Sequence, residues 1–325
     1  AIGTDINLLA YKLCFASLKK WDIDKVFALI DDFVGDIRIA CEEIYSFEEN
    51  GEQRILERCH FDQCDDSLLP TAYWYKTLVN NKLSGRKKGT VTQKFIDEYC
   101  AYSKYVPHNI ANAKLIPNSR IAIGNNDTVY MYFCHRNLKA LDCIINKLVS
   151  YREMYGYEIL EMLASSAINL IKLSDKKASS QMPYWLPKTD VTSRNAVFVV
   201  EQKATAFKEG LQYLAETCKS HVCDDPLSCE VIIQNIPAQS ISQEILQNNS
   251  VDLVLTDPPY TDQVPYLEYS QLWYKVMNWH DHLEDEMTAE LVVSDAPSRN
   301  KDIKDFNSIF AEIIAFLFAA IILVY

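Results

Sequence analysis

The sequence has 325 residues, enough for one large domain or two ordinary ones, and its 49% hydrophobic and 23% charged residues are typical of a globular protein. Its net charge of −12 excludes a general electrostatic attraction to nucleic acid, so any such binding needs a local basic patch. Its 8 glycines include no G-x-G pair, which excludes a glycine-rich phosphate loop within these residues.

The first predicted elements are the tail of a strand and a helix. Ala1 and Ile2 end the strand, a turn containing Asp5 follows, and residues 8–20 have the apolar spacing of a helix. A strand that ends in an acid and leads into a helix is half of a doubly wound α/β unit. The first strand and loop of such a unit are expected to lie before Ala1.

The middle of the sequence is predicted to be mainly helical. The helical pattern continues over residues 23–47, with Asp24 as a candidate N-cap, while residues 48–68 are polar and are predicted to be irregular. Further helices are predicted at residues 129–151, 157–173 and 198–217.

The α/β pattern resumes near the end of the chain. Strands are predicted at residues 230–234 and 251–255, with a short helix at 242–247 between them. The predicted fold is therefore an α/β, Rossmann-like core, residues 1–45 and 225–325, with a large helical insertion, residues 46–224. The apolar run 313–325 is too short to cross a bilayer as a helix and predicts a buried helix followed by a strand, so no membrane partner is expected.

The cysteine pattern does not predict a metal site. None of the ten cysteines forms a C-x-x-C pair. The densest groups are Cys59 with Cys64, and Cys218 with Cys223 and Cys229, and neither has the spacing of a zinc ribbon. Reduced thiols and the lack of a signal-peptide pattern predict a cytoplasmic protein.

The strongest chemical signal is the stretch in which the predicted strand 251–255 runs into Asp257, Pro258, Pro259 and Tyr260. Proline has no N–H and holds the chain stiff, so the carbonyl groups of this arm can act as acceptors beside the Asp257 carboxylate. Two acceptors on the hydrogens of an exocyclic base amine would stabilise the positive charge that develops as its nitrogen attacks a methyl donor. Tyr260 would stack on a base taken out of its helix. The alternative is a proline-rich turn after a strand.

The motif "TDPPY" after an apolar strand resembles the catalytic motif of S-adenosylmethionine-dependent DNA amino-methyltransferases, and "DPPYTDQVPYLEYSQLWYKVMNW" resembles the bacterial adenine-specific DNA methylases. Four further stretches resemble that branch in the same order: "GTDINLLAYKL", "YFCHRNLKALDCII", "PYWLPK" and "ELVVSDAPSRNKDIKDF". The sequence departs from the family pattern because it lacks the aromatic-x-G-x-G loop that holds the methionine part of the cofactor.

The resemblance implies that S-adenosyl-L-methionine is the cofactor and that Asp5 binds its ribose hydroxyls. An acid at the end of the second strand is also the usual diol acceptor on physical grounds, although Asp5 could instead cap the following helix. Ile6 and Asn7 lie beside it, and Asn235 follows the third strand, where it is placed to meet the adenine of the cofactor, although Gln234 or Ile236 could hold that position.

DNA is the expected partner, and a basic and aromatic set is the candidate contact with it. Arg86, Lys87 and Lys88 form the densest basic stretch, and Trp185 lies in a second loop rich in lysine and aromatic residues. The alternatives are a solvated loop for the basic stretch and core packing for Trp185.

The expected activity is methyl transfer to adenine N6, rather than cytosine N4, in a restriction-modification or phage-defence system that could include a partner subunit. Two alternatives stay open: an RNA base-amine methyltransferase, and a non-catalytic DNA-binding subunit.

Overall fold

The computed structural model describes residues 1–64, 67–79, 82–175, 184, 186, 191–218, 231–241, 246–258, 261, 264–279, 283–294 and 299–321. The α-helices in these residues are α1 (Leu8–Leu18), α2 (Ile23–Ala40), α3 (Glu42–Tyr45), α4 (Gln93–Tyr99), α5 (His135–Ser150), α6 (Tyr157–Ile171), α7 (Ala196–Thr217), α8 (Tyr266–Val276), α9 (Leu283–Ala289) and α10 (Ile303–Ala320).

The strands are β1 (Ile2–Thr4), β2 (Ser46–Glu49), β3 (Glu52–Cys64), β4 (Ser67–Val79), β5 (Lys82–Leu83), β6 (Lys87–Gly89), β7 (Ser174–Asp175), β8 (Val191–Arg194) and β9 (Ile232–Gln234). Seven of them form an antiparallel sheet in the order β5-β4-β3-β8-β7, with β2 beside β3 and β6 beside β4. The fold is therefore mixed α/β, and the segment expected to be mainly helical also contains the largest sheet.

The long hairpin of β3 and β4 corrects the expectation that residues 48–68 are irregular. Leu56, Cys59 and Phe61 of β3 are buried, as are Tyr73 and Tyr75 of β4. The pairing register shifts between Leu56 and Arg58, where a bulge adds one residue to β3. Before the bulge the even-numbered side chain Leu56 points inward, and after it the odd-numbered Cys59 and Phe61 do. The inward positions therefore do not follow a strict two-residue period in the sequence, and the strand pattern is hidden.

Helices α1 to α9 contribute to one hydrophobic core with the inner face of this sheet, while the end of α10 packs in a separate small cluster with Ile241 and Leu246. Val26, Ile30, Phe33 and Ile37 of α2 recur every three or four residues and are completely buried. The same cluster contains buried side chains of α5, α6, α7 and α8, so it includes residues from both the predicted core region and the predicted insertion. The N-cap of α2 is Asp22, which accepts a hydrogen bond from the Lys25 N–H, and not Asp24 as the sequence predicts.

Parallel pairing is present in two short contacts. β1 pairs in parallel with β9 over three residue pairs, and these two strands form a separate two-stranded sheet. The predicted Rossmann-like sheet is therefore not confirmed. Val251 forms a parallel bridge with Ile321. The predicted buried strand at 251–255 is otherwise wrong: residues 253–258 are irregular, and Leu253 and Leu255 are 76% and 91% exposed. Among the described residues, the only strand contact of this stretch is the single bridge at Val251. Residues 253–258 therefore have no ladder of backbone hydrogen bonds to hold them extended.

The apolar C-terminal run, residues 313–325, begins within helix α10, and this helix is not buried as the sequence predicts. Residues 322–325, to which the predicted strand extends, lie outside the described residues. Among the residues of α10 only Phe306 and Ala320 are buried, while Ile314 and Phe318 are 44% and 59% exposed. The helix begins with a capping box in which Asp302 and Asp305 bind each other's backbone N–H groups. No helix in the described ranges is both long enough and apolar enough to span a bilayer.

Candidate functional site

The turn after β1 is ordered by its own side chains. The Asp5 N–H donates to the Gln234 carbonyl (3.2 Å), which continues the β1–β9 pairing to the end of the strand. One Asp5 carboxylate oxygen, Oδ1, accepts from the Asn7 N–H (2.7 Å), and Asn7 in turn caps α1 by accepting from the Leu9 N–H (3.0 Å). Asn7, and not Asp5, is therefore the N-cap of α1.

The Asp5 carboxylate lies at the surface and can accept a further hydrogen bond. Its Oδ2 atom accepts none from the residues that the structure describes. Desolvation by the surrounding protein raises the pKa of Asp5, while the Asn7 N–H acts in the opposite direction. Although the residue is exposed as a whole, its carboxyl group is therefore held in a partly dehydrated setting, where a hydrogen bond from a ligand hydroxyl is stronger than in open water.

Asn235 holds this turn from the neighbouring strand end. Its amide nitrogen donates to the carbonyl oxygens of Asp5 and Ile6, both at 2.9 Å. The structure thus brings together the four residues predicted to bind the cofactor: Asp5, Ile6, Asn7 and Asn235. The Asn235 N–H groups point to the backbone of the turn, so this side chain positions Asp5.

Helix α8, which follows the "TDPPY" stretch, docks against the same turn. The Asn7 amide donates to Ser270 Oγ at 2.7 Å. The Leu8 N–H donates to the Tyr274 hydroxyl, which donates to Glu286 of α9, both at 2.6 Å. Burial, followed by the Glu286 carboxylate, raises the pKa of Tyr274, so the hydroxyl keeps the proton that it donates. The sequence did not indicate Tyr274, because its hydrogen bond to Leu8 joins two residues that are 266 positions apart in the sequence.

Asp257 and Pro258 lie in the irregular stretch that precedes α8. Asp257 is exposed and Pro258 is half-buried. The chain is anchored after them: the Thr261 carbonyl accepts from the Val293 N–H (3.0 Å), and Pro265 is buried at the start of α8. Pro259 and Tyr260 lie outside the described residues.

A buried ion-pair triad lies behind α8. The side chain of Arg299 is completely buried and pairs with Glu268 of α8 at 2.5 Å and with Glu290, which follows α9. Burial raises the pKa of Glu290 to about 7; the Arg299 charge lowers it and the Glu268 charge raises it further. Two carboxylates facing one guanidinium leave a net negative charge, which disfavours ionisation of Glu290. The triad ties together three segments that follow Asp257.

The predicted basic stretch lies on the antiparallel sheet, and two of its three cations have acidic neighbours. Arg86 Nε donates to Glu57 at 2.9 Å, and Lys87 Nζ to Glu52 at 3.3 Å. Lys88 is exposed and lies 5.8 Å from the centre of the Trp74 ring. Trp185 lies outside the described residues, so the structure does not address the contact predicted for it.

The parts of the chain that the structure describes contain no group of three or more His, Cys, Asp or Glu side chains arranged to hold a metal ion. Cys59 is buried, and burial raises the pKa of its thiol, which makes that side chain a poor thiolate ligand. In the second cysteine group, Cys218 is half-buried, while Cys223 and Cys229 lie outside the described residues.

Comparison of the chain with models of protein families, with curated proteins and with solved structures gave no match.

Proposed function

We propose that the chain is a DNA amino-methyltransferase that transfers the methyl group of S-adenosyl-L-methionine to an exocyclic base amine, with adenine N6 as the first candidate. The β1–β9 pair and the Val251–Ile321 contact would belong to a Rossmann-like core, within which residues 46–224 form the insertion. A restriction-modification or phage-defence system is the setting that the sequence resemblance suggests.

One observation carries this proposal: the helix that follows the "TDPPY" motif is hydrogen-bonded to the turn that displays Asp5. The links are Asn7 to Ser270 and Leu8 to Tyr274. A methyltransferase needs its cofactor site and its acceptor site on one rigid frame, because methyl transfer requires the reacting atoms to be about 3 Å apart. Two motifs that are about 250 residues apart in the sequence thus share a direct connection.

In this proposal Asp257 is the catalytic residue. Its exposed carboxylate accepts a hydrogen of the base amine, and the carbonyl of Pro258 accepts the other. Both groups would stabilise the positive charge that develops on the nitrogen as it bonds to the methyl carbon and the bond between that carbon and the sulfonium sulfur breaks. The sulfur would leave as a neutral thioether, and the methylated nitrogen would then lose a proton to solvent. Tyr260 stacks on the base, and Pro259 stiffens the arm that carries the ring.

Asp5 is the proposed acceptor of the ribose hydroxyls of the cofactor. The geometry suits this role, since Oδ1 is engaged by the Asn7 N–H while the surface position of the residue leaves room at Oδ2. Ile6 and Asn7 shape the turn, and Asn235 holds it in place. Any contact between Asn235 and the adenine of the cofactor would use its Oδ1, because the amide nitrogen bonds the backbone.

A second candidate, a non-catalytic DNA-binding subunit, is favoured by a different observation. The sequence has no G-x-G pair, and close backbone approach to the methionine end of the cofactor is sterically difficult without glycine. In the enzymatic proposal the methionine end of the cofactor would be held by a glycine loop that these 325 residues do not contain.

The test is transfer of a labelled methyl group from S-adenosylmethionine to DNA, to RNA with the same sequence, and to no nucleic acid, followed by identification of the modified base. Label in N6-methyladenine of DNA supports the proposal. Label in RNA alone favours the RNA base-amine alternative. No transfer by a preparation that binds DNA and contains a glycine loop would favour the non-catalytic subunit.

A further inference from the structure

A row of cationic and aromatic side chains crosses four strands of the antiparallel sheet. Arg194 of β8 lies opposite Arg58 of β3, Arg58 lies opposite Trp74 of β4, and Trp74 lies opposite Lys88 of β6. Residues directly opposite each other on neighbouring strands share a face. We call this row, with Lys76 and Arg86 beside it, the basic face: Arg58, Trp74, Lys76, Arg86, Lys88 and Arg194.

The basic face is open to solvent and has a rigid backing. Lys88 is exposed, and Arg58, Trp74 and Arg194 are half-buried. The neighbouring positions Cys59 and Tyr73 point the other way and are completely buried in the core. The row is therefore fixed to the hydrophobic core of the molecule and is not a set of mobile loop residues.

The cations of the face are crowded. Burial lowers the pKa of Arg58, and repulsion by Arg194 and Arg86 lowers it further, while Glu57 acts in the opposite direction. Glu57 is already engaged by Arg86 at 2.9 Å. Arg58 and Arg194 lie directly opposite each other on neighbouring strands, where like charges repel, and an anion bound between them would relieve the repulsion.

Aromatic side chains lie within the same face. The Trp74 ring is 4.3 Å from the His60 ring and has Lys88 Nζ 5.8 Å from its centre. Lys76 Nζ lies 4.9 Å from the centre of the Phe198 ring at the start of α7. Alternating cations and rings are the features with which proteins bind the phosphates and bases of nucleic acids.

We propose that the basic face binds the phosphodiester backbone of a nucleic acid. Four strands about 4.8 Å apart give the row a length of about 14 Å, over which one DNA strand carries about four phosphates. In a protein with a net charge of −12, this face supplies the local positive patch that nucleic-acid binding requires. The choice of nucleic acid over another polyanion rests on the proposed function; the site itself rests on the geometry.

The test measures binding of fluorescently labelled single-stranded DNA, duplex DNA and single-stranded RNA by anisotropy, over a series of salt concentrations. Arg58→Glu is expected to weaken binding about tenfold and to reduce the slope of log affinity against log salt by about one, because one phosphate contact is lost. Lys25→Glu is the matched control: it makes the same charge change on α2 at a side chain that is 72% exposed.

Lys88→Glu provides a second variant in case Arg58→Glu perturbs folding, since Lys88 is exposed, and thermal unfolding checks both proteins. Equal binding by the wild type, Arg58→Glu and Lys88→Glu would overturn the proposal, as would the absence of nucleic-acid binding by the wild type. Equally tight binding of poly-glutamate would show a general polyanion site. Methyl transfer by the wild type is measured separately. If the wild type transfers methyl groups and the variants bind nucleic acid as tightly as it does, only the basic face is refuted. If the variants bind more weakly but the wild type transfers no methyl group, only the enzymatic function is refuted.

Discussion

Asp257 is the residue on which the proposed chemistry most depends, and its surroundings suit that role. The residue is exposed, and the chain is anchored shortly after it by the hydrogen bond between Val293 and Thr261 and by the buried Pro265. A side chain at the surface contributes little to the core, so its removal separates chemistry from folding.

Asp257→Ala is expected to reduce methyl transfer by about 10²- to 10³-fold without lowering the melting temperature, because a charge-stabilising acceptor is lost. Asp257→Asn, which keeps an acceptor oxygen but no charge, is expected to be slower than the wild type and faster than alanine. Asp252→Ala, at another exposed acid close by in the sequence, is the control and should retain full activity. Unchanged turnover in Asp257→Ala would contradict the catalytic assignment.

Tyr260 is expected to act through its ring. Tyr260→Phe should keep methyl transfer near the wild-type rate, whereas Tyr260→Ala should weaken productive base binding by roughly 1–3 kcal/mol, because stacking needs only a flat aromatic surface. The measurement is KM for a DNA oligonucleotide together with the affinity for S-adenosylmethionine, which should not change. If phenylalanine proved as damaging as alanine, the hydroxyl group would be responsible.

Among the secondary-structure elements, α8 makes the functional connection. One side of this helix binds the Asp5 turn through Ser270 and Tyr274, while Glu268 forms the buried triad with Arg299 and Glu290. Removing one partner of an ion pair that is shielded from water leaves an unpaired buried charge, which is costly. The triad therefore fixes the position of α8 against the segment that follows α9 and the segment that precedes α10. The protonation of Glu290 determines the net charge of this cluster.

Stability should therefore depend on pH through Glu290. Its folded-state pKa of about 7 lies above the ordinary value of 4.5, so its contribution is fully present below about pH 4.5 and is lost as the pH rises through 7. Glu290→Gln, which stays neutral, is expected to gain about 2.5 kcal/mol of unfolding free energy relative to the wild type as the pH rises from about 5 to about 8. Chemical denaturation at several pH values measures this difference.

Glu284→Gln is the control for that experiment, because it makes the same change on α9 at an exposed position. Its stability relative to the wild type should stay constant over the same pH range. A constant difference for Glu290→Gln as well would show that Glu290 is ionised in the folded protein throughout.

For the molecule as a whole, the two parallel contacts bear on cofactor binding. β1 pairs with β9, and Val251 with Ile321, while Leu253 and Leu255 are largely exposed. Apolar residues in a predicted strand are normally covered by a neighbouring strand or helix. Leu253 and Leu255 have no such cover among the described residues. The proposed cofactor site has an acid that suits the ribose, but the 325 residues contain no glycine loop for the methionine end.

The 325-residue chain is accordingly expected to bind S-adenosylmethionine weakly or not at all in calorimetry. The protein extended by a strand that ends in an aromatic-x-G-x-G loop should bind it, and Asp5→Ala should then weaken binding about 10- to 100-fold, as expected for a hydrogen bond to a charged group. Asp24→Ala, at an exposed acid on α2, is the control. Tight binding by the 325-residue chain would show that the cofactor site lies elsewhere.

Local patterns in the sequence were sufficient for several helices. The apolar spacing predicted α6 and α7 to within a few residues, because each buries one stripe of its surface and the residues of that stripe recur with a period of 3.6. Helix α1 was also predicted at its observed start, although Ala16 is its only buried residue. The sequence also indicated the turn at Asp5 and the strands that end at this turn and at Gln234, since a strand that ends in a polar turn is a local signal. The parallel pairing of these two strands is a finding of the structure.

Tertiary structure alone decided the features that join distant residues. The bulge near Arg58 hid the β3–β4 hairpin, and only the resulting register places Arg58 between Arg194 and Trp74. The contact of Tyr274 with Leu8 and the triad around Arg299 likewise join segments whose spacing carries no periodic signal. The period of apolar residues in the sequence indicates which face of one helix or strand is buried. Which residue lies opposite on a neighbouring strand, and which charges form a buried ion pair, depends on the packing of the whole chain.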